Sequence, residues 1–458
     1  MFAQTRFDSK RIMQFAMFLS LVMLAAPGFG LRRPAGAYAE SATLTVCASG
    51  CDFVSIQQAI YAAYSGDTIE IQSQTPHTEG DIYVDRSLTL QGLGADQTIV
   101  QAAVTAGTAS SGVFRTVSGA TVVMQDMTIR HGVGIFKPGG IHILGGTVTL
   151  KRVHIVANES QGGSGGAIFN LGLLTLTDSV VSDNRATTSG GAIRNSATLY
   201  VDNTTIRDNE AGDSGGGIDA FTGHVEVTNS TISGNQAGLD GAGISAFLGY
   251  VEVTNSTISG NEADGDGGGV FVDINGEVRL ANTTVAKNVA DADSDDTGSG
   301  GGVHNNSGDL RLMNTLVAEN SDRTLSIQGK KPNCAGDLIS DGYNLIGQTY
   351  LVFDNCTISG DLTGNLINVQ PKLDPLDDNG GPTLTHALQF TSPAIDAGNP
   401  AGCEMYGGSA LDTDQRGGPR HVDGPDGDTT ATCDIGAYEY GAQPYRIYLP
   451  AVLRSVAP

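Results

Sequence analysis

The chain has 458 residues, of which 63 are glycine, 16 % are charged and none is tryptophan. That glycine share is about twice the usual level, the charge is too low for a coiled coil or an acidic disordered chain, and no Gly-X-Y period makes it collagen-like. A formal net charge of −24 argues against nucleic acid and anionic lipid as partners.

Arg6, Lys10 and Arg11 form a basic start, and Ile12 to Ala26 is apolar apart from Gln14 and Ser20. That run is too short to span a membrane and suits a secretory signal. Ala37-Tyr38-Ala39 is the expected cleavage site, Gly28-Phe29-Gly30 the alternative, and an uncleaved anchor helix the competing reading. Removing residues 1–39 leaves 20 basic and 48 acidic residues, a net charge of −28. No later apolar stretch is long enough for a membrane span.

Six cysteines follow: Cys47, Cys51, Cys334, Cys356, Cys403 and Cys433. An even count in an exported chain points to disulfides, and proximity favours 47–51, 334–356 and 403–433. After the first pair, Ile56, Ala59, Ile60 and Ala63 share one helical face. A short helix there would plug the open end of a repeat array.

The middle of the chain repeats. Val225-Glu-Val-Thr-Asn-Ser-Thr-Ile-Ser-Gly-Asn235 recurs unchanged as residues 251–261, an offset of 26. The closing asparagine returns as Asn158, Asn184, Asn209, Asn235, Asn261, Asn288 and Asn320, at intervals of 26, 25, 26, 26, 27 and 32. Six residues before each stand Arg152, Asp178, Asn203, Asn229, Asn255, Asn282 and Asn314. A small-small-Ile/Val signature ends at Ile141, Ile168, Ile193, Ile218, Ile244, Val270 and Val303. Runs such as Val225-Glu-Val alternate with the strand period, bounded by turn-forming Asn and Gly. One such unit cannot cover its apolar face, but stacked units can. The expected fold is therefore all-β: a parallel β-helix of about a dozen coils, one coil per repeat.

In that fold the asparagines stack into a structural ladder. Asn-x-Ser/Thr at Asn203, Asn229, Asn255 and Asn282 is then a by-product of turn chemistry, glycosylation being the alternative. The outward columns read His142, Phe169, Arg194, Asp219, Ser245, Phe271, His304 and Thr149, Thr175, Tyr200, Glu226, Glu252, Arg279, Arg311. Arg194 with Asp219 and Glu252 with Arg279 are expected to pair across coils. Phe221 and Phe247 fall in register, as an aromatic ladder or, with Tyr200, as a surface for sugar rings.

Two acidic loops offer alternating oxygen ligands, each open to a solvated-loop reading and a Ca²⁺ reading. One is Asp291-Ala-Asp-Ser-Asp-Asp-Thr-Gly-Ser-Gly300; the other contains Asp423, Asp426 and Asp428. Ca²⁺ is the one cofactor these residues suggest. Asp412, Asp414, Arg416 and Arg420 read as an internal ion network.

The order Cys47…Ile56-Gln-Gln-Ala-Ile60…Gly66-Asp-Thr-Ile69…Leu90-Gln-Gly-Leu-Gly94 resembles the N-terminal cap of pectate-lyase-like β-helix proteins. That resemblance implies a right-handed helix and carbohydrate-active relatives. The Gly-Gly-Ala-Ile copies also look like the repeats of polymorphic outer-membrane adhesins. Asn379-Gly-Gly-Pro, Ser392-Pro-Ala-Ile-Asp-Ala-Gly398, Asp414-Gln-Arg-Gly-Gly-Pro and Asp434-Ile-Gly-Ala-Tyr-Glu439 resemble the C-terminal region of choice-of-anchor bacterial surface proteins. No Leu-Pro-x-Thr-Gly sorting motif follows; Tyr445 to Leu453 reads as a last strand or a docking tag.

The expected organisation is a signal over 1–39, a cap and first coils over 40–118 and repeats over 119–325. A C-terminal region over 326–440 and a tail over 441–458 complete it. Lyase and glycosidase motifs are absent, so no catalytic residue is assigned. The expected function is an exported, non-catalytic protein that binds glycans or cell-surface components. A polysaccharide lyase or hydrolase and a structural spacer are the alternatives. An enzyme would carry a coupled cluster of charged groups on adjacent coils.

Overall fold

The computed structural model describes residues 41–325, 330–347, 356–425 and 430–443. The expected signal, the tail from Tyr445, and Asp426 with Asp428 lie outside these residues.

The strand Thr43–Val46 pairs in parallel with Thr68–Ile71, and helix α1 (Ile56–Ala62) lies between them in the chain. Ser55 caps α1, its Oγ accepting from Gln58 N at 3.2 Å. Ile56, Ala59, Ile60 and Ala63 are buried, so the expected helical face is the one that seals the core. Glu79 holds the same end, accepting from Ile56 N at 2.8 Å, Gln57 N at 3.0 Å and Ser55 Oγ at 2.8 Å.

Beyond this cap the chain winds as a β-solenoid of about twelve turns. Each central repeat lays down four strands, three in one large sheet and a fourth of two or three residues, such as Glu210–Ala211, in a second sheet of eight, and each strand pairs in parallel with its equivalents one coil away. On the first face Ile193–Asn195 lies between Ile168–Asn170 and Ile218–Ala220. On the second, Thr198–Asp202 lies between Leu173–Thr177 and His224–Thr228. On the third, Thr205–Arg207 lies between Val180–Ser182 and Thr231–Ser233. Inward residues form buried aliphatic columns, among them Leu150, Leu176, Val201, Val227, Val253, Leu280 and Leu312.

Two asparagine columns turn the corners. Arg152, Asp178, Asn203, Asn229, Asn255, Asn282 and Asn314 all adopt the left-handed conformation, with φ between 46° and 54°. Asn and Asp tolerate it because their short polar side chains bond locally. The second column is the ladder. From Asn158 to Asn320, each Nδ2 donates to the Oδ1 of the next asparagine at 2.8–3.0 Å. The backbone N–H of each donates to the same oxygen. Its remaining amide proton reaches back a coil, as from Asn235 to Ile206 O at 3.1 Å. Asn333, displaced from the repeat by the loop before it, supplies one further rung. The glycines of the small-small-Ile/Val signature stand where successive coils touch: a Cβ on Gly191 would lie 2.4 Å from Gly216 O.

Two expectations about the outward columns change. Asp219, Ser245 and Phe271 are buried. The turn before each first-face strand doubles back over them, so closely that a Cβ on Gly267 would lie 2.9 Å from Phe271 Cβ. Arg194 does pair with Asp219. Glu252 and Arg279 are in register but do not pair: Arg279 bonds Glu277 at 2.7 Å, and Glu252 accepts from Tyr250 OH at 2.7 Å. In both cases a partner two residues away in the same strand is engaged instead.

Parallel pairing continues past residue 325. Cys334–Ala335 pairs with Val303–His304, Leu345–Ile346 with Leu316–Val317, and Leu366–Ile367 with Leu345–Ile346. The chain then reverses. An antiparallel hairpin, Leu373–Asp377 with Thr385–Leu388, begins a mostly irregular segment that runs back over the third face. Thr383 Oγ1 donates to Asn229 O, Asn255 Nδ2 to Thr413 O, Asn282 Nδ2 to Glu404 O and Asn314 Nδ2 to Asp434 O, at 2.7–3.1 Å. The segment thus engages four successive coils through the left-handed corner residues. Asn255 and Asn282 are buried beneath it, which excludes a glycan on either.

All six cysteines pair as proximity suggested: 47–51, 334–356 and 403–433. Three disulfides fit a chain that folds in an oxidising, extracellular setting. No helix among the described residues is long and apolar enough to cross a membrane.

Candidate ligand-binding face

With the third face covered, the corner between the first and second faces remains open to solvent. There the strands Ile218–Thr228 and Ile244–Thr254 run unbroken from one face to the next. Phe221 and Phe247 project outward in register, 36 % and 41 % exposed. Their rings stack at 5.4 Å with an interplanar angle of 4°. The Arg194 guanidinium covers the other side of Phe221, 3.9 Å from its centroid. The stack runs along the coil axis, so the faces of Phe221 are occupied and the ring edges meet solvent. The ladder reading therefore describes the pair better than a flat platform for sugar rings.

The same column runs back through Ser196 to Leu171 and Leu144, both exposed, so Ser196 and the Arg194 guanidinium separate the leucines from Phe221. Leu173 and Leu248 flank it and are also exposed. The result is two apolar patches on one column, Leu144 with Leu171 and Phe221 with Phe247.

Beside the ridge, on the second face, His224 stacks on Tyr250 at 5.2 Å and Tyr200 meets His224 edge-on at 5.9 Å. The third candidate, Tyr200, thus belongs to an aromatic group with His224 and Tyr250 rather than to the phenylalanine stack. Arg279 lies 5.3 Å from the Tyr250 ring. Burial and the hydrogen bond to Glu252 raise the Tyr250 hydroxyl well above its ordinary range.

Charged groups line the first face next to this corner. Burial pushes the Asp219 carboxyl up to about 6, although Arg194 opposes the shift. Burial also raises Asp240, whose Oδ1 accepts from Asp266 N at 2.8 Å. Asp266 Oδ1 in turn accepts from Ser299 N at 2.8 Å and Ser299 Oγ at 3.0 Å, and lies 3.1 Å from His304 Nδ1. Ser299, His304 and Asp266 have the composition of a hydrolytic triad. The geometry differs: serine and aspartate both meet Nδ1, whereas a relay needs them on opposite ring nitrogens. These bonds instead brace neighbouring turns.

The C-terminal ion network forms with partly different members. Arg416 pairs with Asp414 at 2.6 Å, and Arg420 lies 3.8 Å from Glu439. Arg420 Nη2 also donates to Asn255 Oδ1 at 2.7 Å and Gly436 O at 2.9 Å. Asp412 contributes only its backbone carbonyl, accepting from Arg420 N. Asp434 and Glu439 complete the network; burial raises both carboxyls, and Asp434 is raised further by the charge of Glu439.

Sequence reasoning missed the residues that dock this segment, chiefly Asn255, Asn282, Asn314, Gln415 and His386. Gln415 donates to Ser230 O at 3.1 Å and accepts from Thr257 Oγ1 at 2.6 Å; His386 Nε2 lies 2.8 Å from Ser259 Oγ. A signal was present: one outward column of the third face reads Arg207, Ser233, Ser259, Ala286, Ala318, losing charge where the segment covers it. Of the proposed Ca²⁺ ligands, Asp423 is exposed.

A family profile described as "Right handed beta helix region" matches residues 94–265. Among solved structures, the crystal structure of pectate lyase Pel9A aligns with a TM-score of 0.48 and 13 % identity, covering 88 % of this chain and 97 % of that one. No curated protein matches the chain.

Proposed function

We propose that this is an exported β-helix protein that binds glycans or other cell-surface components without turning them over. The observation that carries the reading is the pair of exposed apolar patches on one column, Leu144 with Leu171 and Phe221 with Phe247, the latter flanked by Tyr200, His224 and Tyr250. Contiguous exposed apolar surface marks interaction sites, and aromatic edges beside charged side chains suit a ligand with both apolar and hydroxylated faces.

One observation favours the second reading, a polysaccharide lyase or hydrolase. Asp219, with its raised carboxyl beside Arg194, is a charged group of the kind active sites use. A glycan and polysaccharide screen, with and without Ca²⁺, separates the two by recording binding and the absorbance of unsaturated product together. Binding without product, lost in Phe221→Ala/Phe247→Ala, supports the binding protein. Product formation abolished by Asp219→Asn would establish the enzyme instead. Neither signal, across neutral and acidic glycans, leaves a spacer.

A further inference from the structure

The loop between Asp291 and Gly300 lengthens one coil and leaves a carboxylate in an unusual state. Asp291 is fully buried. Its Oδ1 accepts from Asp295 N at 2.9 Å and Asp296 N at 3.2 Å. Its Oδ2, equally buried, has no hydrogen-bond partner. A carboxylate oxygen withdrawn from water and left unpaired costs free energy unless a cation meets it.

Two more carboxylates lie close to that of Asp291. One oxygen each from Asp291, Asp293 and Asp295 lies within 4.8 Å of the others, a spacing that a single ion with 2.3–2.6 Å bonds spans. Asp293 and Asp295 each use only Oδ1 for the loop's own hydrogen bonds. The nearby cation is committed elsewhere: Arg323 bonds Glu262 at 3.1 Å and Ala292 O at 3.0 Å. Negative charge therefore accumulates. The carboxyl of Asp264 is raised by burial and then by Asp293, Asp295, Glu262 and Asp291.

We propose that Asp291, Asp293 and Asp295 bind one divalent cation of the hard, oxygen-seeking class, Ca²⁺ before Mg²⁺. All three ligands are oxygens, which excludes soft metals, and an irregular loop with two exposed ligands suits the flexible coordination of Ca²⁺. The buried Asp291 fixes the ion against the solenoid, and the exposed pair closes over it. Three carboxylates and an open side place the affinity at about 10⁻⁴–10⁻³ M, the range of extracellular Ca²⁺ modules.

The test is calorimetric titration of the chelator-stripped full chain with CaCl₂ alone, up to about 10 mM, well above that range. The wild type is compared with Asp293→Asn/Asp295→Asn, both exposed and outside the core, and with Asp423→Asn. Loss of one bound ion per chain in the double variant, with the Ca²⁺-dependent rise in Tm lost alongside, is the expected result. Unchanged stoichiometry in the double variant, loss in Asp423→Asn instead, or no binding by the wild type overturns the proposal.

Discussion

The solenoid and the segment folded over it are held by opposite means. In the solenoid between Asn158 and Asn320 each coil makes the same contacts as the next: aliphatic columns inside, parallel backbone pairing, and one rung of the asparagine ladder. No single bond is special, because each has neighbours of the same kind above and below. The segment from 371 to 443 has few regular strands and no repeat. It relies on particular residues: Arg420 among buried carboxylates, Gln415 between two coils, and the 403–433 disulfide. Redundancy protects the first region; the second concentrates its stability in a few groups.

That contrast breaks most visibly at Arg420. Replacing it with alanine strands Glu439 and Asp434 in the interior, a loss of about 3–5 kcal/mol. Hydrogen exchange should show the C-terminal segment opening while the coils keep their protection; loss of both together would make them one cooperative unit. Cys403→Ser/Cys433→Ser comes next, with about 3.7 kcal/mol for a loop of this size. Limited proteolysis should then cut within 403–433 and spare the repeats.

Asn235→Ala removes one rung and leaves the N–H groups of Asn209 facing no acceptor, for about 1–3 kcal/mol. Its effect should reach the adjoining coils and fade beyond them, measured as a local rise in exchange. A uniform rise along the solenoid would contradict the nearest-neighbour picture.

The smallest effects separate the two ends by pH. Burial would raise Glu79, but its bonds from His77, Gln57, Ser55 and Ile56 outweigh that and lower it to about 2. The cap keeps this contribution above 4.5 and loses it as pH falls from there toward 2. Asp434 and Glu439 are shifted the other way, so the penalty of their charge is present at neutral pH and relieved as pH falls through their raised values. Exchange protection, corrected for intrinsic rates, should therefore rise over 371–443 on mild acidification and fall around α1 below 4.5. In Glu79→Gln the second change should vanish.

The same contrast explains what was legible in the sequence. A residue that recurs at a fixed offset announces its role, so the ladder, the corner residues and the core columns were readable from Asn158 to Asn320. The cap was readable because Ile56, Ala59 and Ile60 carry a helical period. Arg420 was legible as a member of an ion network, but its bond to Asn255, 165 residues earlier, and that of Gln415 to Ser230, 185 residues earlier, span separations that no local pattern encodes. The candidate face fell between these cases. Phe221 and Phe247 were found because they repeat, but their orientation depends on Arg194, whose place over the ring follows from stacking coils and not from spacing. The buried state of Asp291 likewise arises only once Gly265 and Ala263 of the previous coil pair with the backbone around it.

Identical stretches such as 225–235 and 251–261 invite gain or loss of whole units when genes recombine, each event changing the rod by about 4.8 Å. The returning segment limits where this is tolerated. Along its own length it meets Asn229, Asn282, Asn255 and Asn314 in that order, doubling back between coils, so it clamps these four coils at a fixed spacing. An extra coil between Asn229 and Asn314 would pull these contacts apart. None of these four contacts lies ahead of Asn229, so a repeat added or removed there leaves all of them in place.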